Sequence, residues 1–393
     1  MSIEEQKAAA LAANQIATAG VKDLNAAVSG ATDEVAAILR VLASKVVDAA
    51  TKQASVQTAI EAIEIPKPRD VTYYGADPTG QRVANAAIKK AIAAGDGRVP
   101  AGTYLIDTVN DLIVLGDDDF LIMDPEAILL AKPNDQPRYY VLQVRGDRVM
   151  VKGGKIIGDR LKHTYVDTGT STRTHEWGYG VSISGNDNVL EGTYIAQCTG
   201  DGVGVSGNNN IIRNITSTQN RRQGMSVYTA ANLRVIGSEF SMTGAYQTDT
   251  AAPNGPCAGV DVEPDKASTV TVTFENCRFN GNRAGFLAWL RSEVGGSLTC
   301  NLVNCEMVGN ANGVQGKALQ GAVVINADGC QLVNNRSSGF RVELACTVNV
   351  NNCLFDVAVD RVDFTLNGTD TRTKYDIYVL TGGKANVGTN RYV

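Results

Sequence analysis

Gly180-Val181-Ser182-Ile183-Ser184 sets the fold, because its pattern of a glycine followed by alternating apolar residues returns at Gly202, Gly224, Gly259, Gly285, Gly313 and Gly339. Subtracting successive numbers gives gaps of 22, 22, 35, 26, 28 and 26 residues. The first and third residues after the glycine are mostly apolar, as in Val181/Ile183, Val203/Val205, Met225/Val227, Val260/Val262, Phe286/Ala288 and Phe340/Val342. Period-2 alternation of this kind buries one face of a strand and turns the other outward. A second strand signal follows each first one, for example Asn188-Val189-Leu190, Asn210-Ile211-Ile212 and Val270-Thr271-Val272-Thr273-Phe274. Gly207-Asn208-Asn209 and Asn334-Asn335 supply turns that tolerate positive φ. Two or three short strands per unit, with no helical pattern between them, predict the stacked coils of an all-β solenoid, a parallel β-helix.

Outside this region the chain reads differently. Residues 4–64 hold no Pro, Cys or aromatic residue and are rich in Ala, Lys, Gln and Glu. Val21, Leu24, Val28, Ala31, Val35, Ile38 and Leu42 step by threes and fours, and Val46, Ala49, Gln53, Val56, Ile60 and Ile63 continue the seam. This predicts an α-helical, coiled-coil segment over residues 1–65, which Pro66-Lys67-Pro68 ends. A long helix standing alone needs partners, so an oligomer is expected; a lone helix packed on the solenoid is the alternative. The remaining divisions are a capping helix with its first strands at 66–110, the parallel β-helix at 111–355 and a C-terminal cap at 356–393.

Composition narrows the function. A formal net charge of −5 argues against a nucleic-acid partner. No apolar run is long enough to span a membrane. Met1-Ser2-Ile3-Glu4-Glu5-Gln6 lacks a signal-peptide pattern, so synthesis in a cytoplasm without the usual export is expected. Cys277, Cys305, Cys330 and Cys353 recur at 28, 25 and 23 residues and read as a stacked internal ladder of free thiols. With no CxxC pair and only His163 and His175, no zinc site is expected, and no cofactor is implied. Gly153-Gly154 and Gly295-Gly296 are turn glycines, since no helix opens after either.

Val71-Thr72-Tyr73-Tyr74-Gly75-Ala76-Asp77-Pro78-Thr79-Gly80, an amphipathic stretch from Val83 to Ile92, and Arg98-Val99-Pro100-Ala101-Gly102-Thr103-Tyr104 resemble the opening of the pectate-lyase-like superfamily of right-handed β-helix proteins. Gln81-Arg82 stands where that family usually carries two Asp residues. Three further blocks resemble β-helix proteins, phage tailspikes among them, that bind or cleave acidic and complex polysaccharides. They are His175-Glu176-Trp177-Gly178-Tyr179-Gly180, Asn220-Arg221-Arg222-Gln223-Gly224 and Ala258-Gly259-Val260-Asp261-Val262-Glu263-Pro264. The resemblance covers roughly residues 70–355 and implies a homotrimeric phage virion spike on the virion surface. Its N-terminal helix is then the attachment to other virion proteins, and its partner is a host cell-surface polysaccharide.

Stacking in register places the second and fourth residues after each glycine in outward vertical rows. Tyr228, Glu263 and Trp289 become neighbours about 4.8 Å apart, with Asp261 beside Glu263. Two carboxylates flanked by aromatic rings suit a sugar cleft, since rings pack on sugar faces and carboxylates supply acid–base chemistry. Asp261, Glu263 and Asp201 are the candidate catalytic acids. The parity of Asp201 puts it outside the outward row, so a turn must aim it. Arg221, Arg222, Gln223, Tyr228, Trp289, Glu176 and Trp177 are the candidate substrate-binding residues, the two arginines as a clamp for a sugar carboxylate. Hydrolysis, β-elimination and a structural or adhesive spike without activity all remain open. Trp289 serves equally as a trimer contact, and Glu176 and Trp177 as residues closing a rung.

Overall fold

The computed structural model describes residues 69–166, 175–244, 255–293, 295–355 and 375–392. Contacts divide the chain between Pro68 and Arg69, and the coiled-coil segment expected at 1–65 lies outside the described residues. From Arg69 onward the chain is a solenoid of about ten turns. Among the described residues every strand pairing is parallel, and the central strands each bond to a counterpart one turn earlier and one turn later.

Each central turn contributes three strands. One stack contains Arg138–Val144, Trp177–Ile183, Asp201–Ser206, Gln223–Thr229, Ala258–Val262 and Ala284–Leu290. A second contains Met150–Lys152, Val189–Glu191, Ile211–Arg213, Leu233–Ile236, Ser268–Glu275 and Gly296–Val303. The third runs from Thr79–Val83 to Glu239–Ser241, and single bridges through Arg278 carry it on to Glu306–Val308. Higher up, Asn312–Asp328 passes through the first two stacks as one strand. The segments that begin at Gly313 and Gly321 are therefore successive parts of one turn. Residues 375–392 add strands to all three stacks.

The apolar alternation drives this arrangement. Val181, Ile183, Val203, Val205, Met225, Val227, Val260 and Val262 all point into one continuous buried core. Helix α1 (Asn85–Ala93) covers the first turn, burying Ala87, Ile88, Ala91 and Ile92 in the cluster that holds Val99, Tyr104 and Ile106. Its first residue, Asn85, donates to the Asp107 carbonyl (3.0 Å) and accepts from the Asp107 amide (2.9 Å). This helix and the strand Gly102–Ile106 stand where the opening motif placed them.

Two internal ladders lock successive turns. The thiols of Cys277, Cys305, Cys330 and Cys353 each donate to a carbonyl of an earlier turn, and all eight cysteines are free and buried. Buried asparagines form the other ladder: the Asn282 amide donates to Asn310 Oδ1 (2.8 Å) and the Asn310 amide to Asn335 Oδ1 (3.1 Å). Such bonds satisfy backbone groups at corners, where strand pairing stops.

A parity break at the repeated glycine decides which side chains face out. The pairing of Asp201–Ser206 with Gln223–Thr229 matches Asp201 to Gln223 and Val203 to Met225. Gly202 and Val203 both turn inward: a Cβ on Gly202 would stand 2.0 Å from Ser217 Oγ. The residue before the glycine is thereby returned to the outer face. Each turn thus presents three outward positions, and Tyr179, Asp201 and Gln223 form the additional column.

Candidate carbohydrate cleft

Outside the first stack lies a cleft of about 820 Å³ whose lining includes Glu176, Trp177, Arg222, Tyr228, Glu263 and Trp289. Tyr228, Glu263 and Trp289 follow one another in register, as the alternation requires. Trp177 and Trp289 belong to strands four pairings apart, about 19 Å along the axis at about 4.8 Å per step. They are the only tryptophans of the chain. The Arg138 guanidinium lies 4.7 Å from the Trp177 ring centroid, and Lys317 Nζ lies 5.7 Å from that of Trp289.

The cleft floor is charged and layered. Arg222 Nη1 donates to both carboxylate oxygens of Asp201 (3.1 and 2.9 Å), and its Nε lies 3.6 Å from Glu176 Oε2. Ser226 Oγ donates to Asp201 Oδ2 at 2.6 Å. Gln223 Nε2 donates to Asp261 Oδ2 at 2.8 Å. Glu263 pairs with Arg291 at 3.2 Å, and Arg291 also reaches Asp265 at 2.8 Å. Tyr228 donates toward Asp201, and its hydroxyl meets that of Tyr179, whose ring stacks on Tyr140 at 5.6 Å.

Burial shifts these acids. Asp201 is 0% exposed, and loss of water raises its pKa even though Arg222 and Ser226 act to lower it. Asp261 is 1% exposed; burial, reinforced by the negative charge of Glu263, raises it well above the usual carboxylate range. Its Oδ1 has no hydrogen-bond partner. Of the eight buried side-chain polar atoms that make no hydrogen bond among the described residues, five belong here: Gln223 Oε1, Asp261 Oδ1, Trp289 Nε1, and Arg222 Nε and Arg291 Nε, which meet only their ion-pair carboxylates. Such a concentration marks a place where water or a ligand completes the bonding.

The structure revises two expectations of orientation. Asp201 needs no turn to aim it, because the parity break puts it on the outer face beside Ser226 and Arg222. Arg221 does not join Arg222 in a clamp. It is buried away from the cleft, 4.5 Å from the Tyr165 ring centroid, and donates to the carbonyls of His175 and Thr199. Asp261, Asp201 and Gln223 face outward from the core but lie beneath the lining residues. Glu176, Trp177, Arg222, Tyr228, Glu263 and Trp289 reach the cleft itself. The repeat pattern did not reveal Arg138, Arg283 and Arg291, which line the cleft from positions before or beyond the repeat.

Comparison with known proteins agrees with this architecture. The family model described as "Right handed beta helix region" matches residues 166–315. From Arg69 onward the chain is a right-handed parallel β-helix. This β-helix is 37% identical over 115 residues to the "SPbeta prophage-derived uncharacterized protein YorA" of Bacillus subtilis (strain 168), covering 26% of this chain and 20% of that one. It is 29% identical over 255 residues to the "Uncharacterized protein YclG" of the same organism, covering 57% and 42%. The β-helix chain thus spans less than half the length of either relative. Among solved structures, the N-terminal fragment of bacteriophage Phi29 gene product 12 superposes with a TM-score of 0.56 at 12% identity, covering 82% of this chain and 62% of that one. The tailspike gp49 of Acinetobacter baumannii bacteriophage Fri1, a capsular polysaccharide depolymerase, gives 0.51 at 12% identity, covering 84% and 63%. At these identities the likeness establishes the fold of the β-helix and nothing finer.

Among the described residues no grouping of His, Cys, Asp and Glu could hold a metal ion, and no helix is long and apolar enough to cross a membrane.

Proposed function

We propose that this chain is a phage virion spike that binds a host surface polysaccharide in the cleft and depolymerises it. The observation that carries the reading is the cleft itself: two tryptophans, paired carboxylates and five buried polar atoms that make no hydrogen bond, on one outer face of a β-helix. A prophage-derived relative and the fold shared with phage spikes support the virion assignment. In this reading residues 1–65 form the stalk of a homotrimer and attach it to other virion proteins.

The chemistry follows from the layering. Asp261, kept protonated by burial, is the proton reservoir under the floor, and Glu263 is the carboxylate that meets the sugar. Arg222, backed by Asp201, stabilises negative charge developing on the substrate. Trp177 and Trp289 hold sugar faces.

One observation favours a binding spike without catalysis: Asp201 and Asp261 lie beneath the lining, where a bound glycan reaches them only if Arg222 or Tyr228 moves. Incubation of the full chain with a panel of bacterial surface polysaccharides separates the readings. New reducing ends that disappear in Glu263→Gln establish a depolymerase, and ultraviolet absorbance of an unsaturated product distinguishes elimination from hydrolysis. Retention of glycan without products establishes the adhesive spike. Light scattering of the same sample reads the trimer.

A further inference from the structure

Behind the cleft wall, on the side to which Arg221 turns, lies a buried polar chain that the proposed chemistry does not use. Asp159, His163 and His175 are all buried. His163 Nδ1 stands 2.8 Å from Asp159 Oδ2, and His163 Nε2 stands 2.8 Å from His175 Nδ1. The backbone N–H of Val166 donates to His175 Nε2 at 3.2 Å.

These contacts fix where the protons are. A backbone N–H can only donate, so His175 Nε2 is a lone pair and the proton of His175 sits on Nδ1. That N–H donates to His163 Nε2, which leaves the His163 proton on Nδ1, facing Asp159. The carboxylate at the end is surrounded by donors: the Asn134 amide and side chain at 3.0 Å each, Thr199 Oγ1 at 2.9 Å, and the Tyr139 hydroxyl. Both rings neutral and Asp159 ionised satisfy every contact. A second proton on His163 sets N–H against N–H at His175, and one on His175 sets N–H against the Val166 amide. A cationic His175 gives up the Val166 bond and keeps the Gln136 carbonyl that its ring also meets.

The chain is joined directly to the cleft. His175 precedes Glu176 and Trp177, which line it. Its φ is 60°, a left-handed conformation uncommon for a residue other than glycine, so its side-chain bonds and the Arg221 bond to its carbonyl hold the backbone there. We propose that Asp159, His163 and His175 form an acid-released latch that positions Glu176 and Trp177 in the cleft wall.

The titratable and charged groups around His175 oppose its protonation on balance. Tyr165 packs edge-on to both rings, Tyr139 stacks on His163, and Arg221 lies over Tyr165 on the far side. Arg160 is engaged with the Gln219 carbonyl at 2.7 Å. Burial, His163 and Arg221 lower the pKa of His175, and a hydrogen bond to the Gln136 backbone and the charge of Asp135 oppose them with smaller effects. Burial alone raises Asp159, but the hydrogen bonds from His163 and Tyr139 outweigh it and hold the carboxyl below its ordinary value. The folded state therefore takes up the His175 proton less readily than the unfolded chain. The latch is at full strength above the ordinary histidine value of about 6.5 and weakens as pH falls below it.

The effect on glycan retention rests on the functional reading above; the latch itself does not, and its test uses no glycan. The chain has only two histidines, so long-range proton–nitrogen NMR of the full chain with ¹⁵N-histidine shows two ring systems. At neutral pH both rings are expected to carry their proton on Nδ1. Acidification is expected to abolish that pattern and to shift the emission of Trp177, read alone in a Trp289→Phe background, with the same midpoint. His163→Gln is expected to remove the emission change. A proton on Nε2 of either ring at neutral pH overturns the latch. So does ring protonation with Trp177 emission unchanged, or an emission change with the original midpoint in His163→Gln. If His163→Gln does not fold, the NMR and emission titrations of the histidine-intact chain still decide.

Discussion

The hydroxyls of Tyr179 and Tyr228 meet at 2.5 Å although an intervening turn separates their strands, and Gly204 of that turn lies beneath them. A Cβ on Gly204 would stand 3.1 and 3.2 Å from Tyr179 ring carbons and 3.5 Å from one of Tyr228. The missing side chain lets the two rings reach across and close one side of the Asp201 carboxylate.

Replacing Gly204 with Val therefore displaces the tyrosine pair while leaving the core strands in place. A loss of about 1–3 kcal/mol in stability is expected, with loss of glycan retention. Denaturant unfolding and glycan binding of Gly204→Val, compared with Ser182→Val in the same outward column, check this.

Asp261 leads to a pH-dependent prediction. Its folded pKa is raised, so the folded state holds that proton more tightly, and the associated stability is lost as pH rises above the unfolded value of about 3.9. Asp261→Asn removes that loss. The variant is expected to melt several degrees higher than the parent at neutral pH, with the difference vanishing below about pH 4, and to lack any depolymerase activity. Melting curves across pH check the first part and reducing-end assays the second.

The adjacent arginines are expected to behave oppositely. Arg222→Gln leaves Asp201 buried without its counter-charge, a loss on the order of 3–5 kcal/mol, and disables the cleft. Arg221→Gln weakens packing against Tyr165 and the carbonyls of His175 and Thr199, while the lining residue Arg222 keeps its partners. Unfolding and glycan-binding measurements on the two variants check this; equal loss of binding at equal stability contradicts the assignment.

The free thiols report on the core. All eight cysteines are buried, and the hydrogen bonds of Cys305 to Cys277 and of Cys330 to Cys305, reinforced by burial, push both thiols up to about 12. A thiol reagent at mildly alkaline pH is expected to react only as fast as the solenoid opens, so reaction rates with and without denaturant measure that opening. Phe274→Ala, which removes the ring packed on Phe240, Phe279 and Phe286, is expected to cost about 3–5 kcal/mol and to speed the reaction.

Much of the fold is legible in the sequence because one face of each strand is uniformly apolar. The glycine repeat, the capping helix, the thiol ladder and the row Tyr228–Glu263–Trp289 all follow from period and spacing. The side of Asp201 does not, because two inward residues in succession, Gly202 and Val203, interrupt the alternation that the reading relies on. Extending the outward rows to the residue before each glycine would have found Tyr179, Asp201 and Gln223 together. Arg221 and Arg222 are indistinguishable in a corner without strand alternation. The histidine pair left no pattern either, since its two members are joined only by folding.

The parity break has an evolutionary consequence. With three outward columns per turn and a core filled from the other face, substitutions in the lining column Tyr228, Glu263 and Trp289 alter what the surface meets without disturbing the core on the opposite face of the strands. Diversification can then proceed one rung and one column at a time, so relatives can share the scaffold while engaging chemically different surfaces.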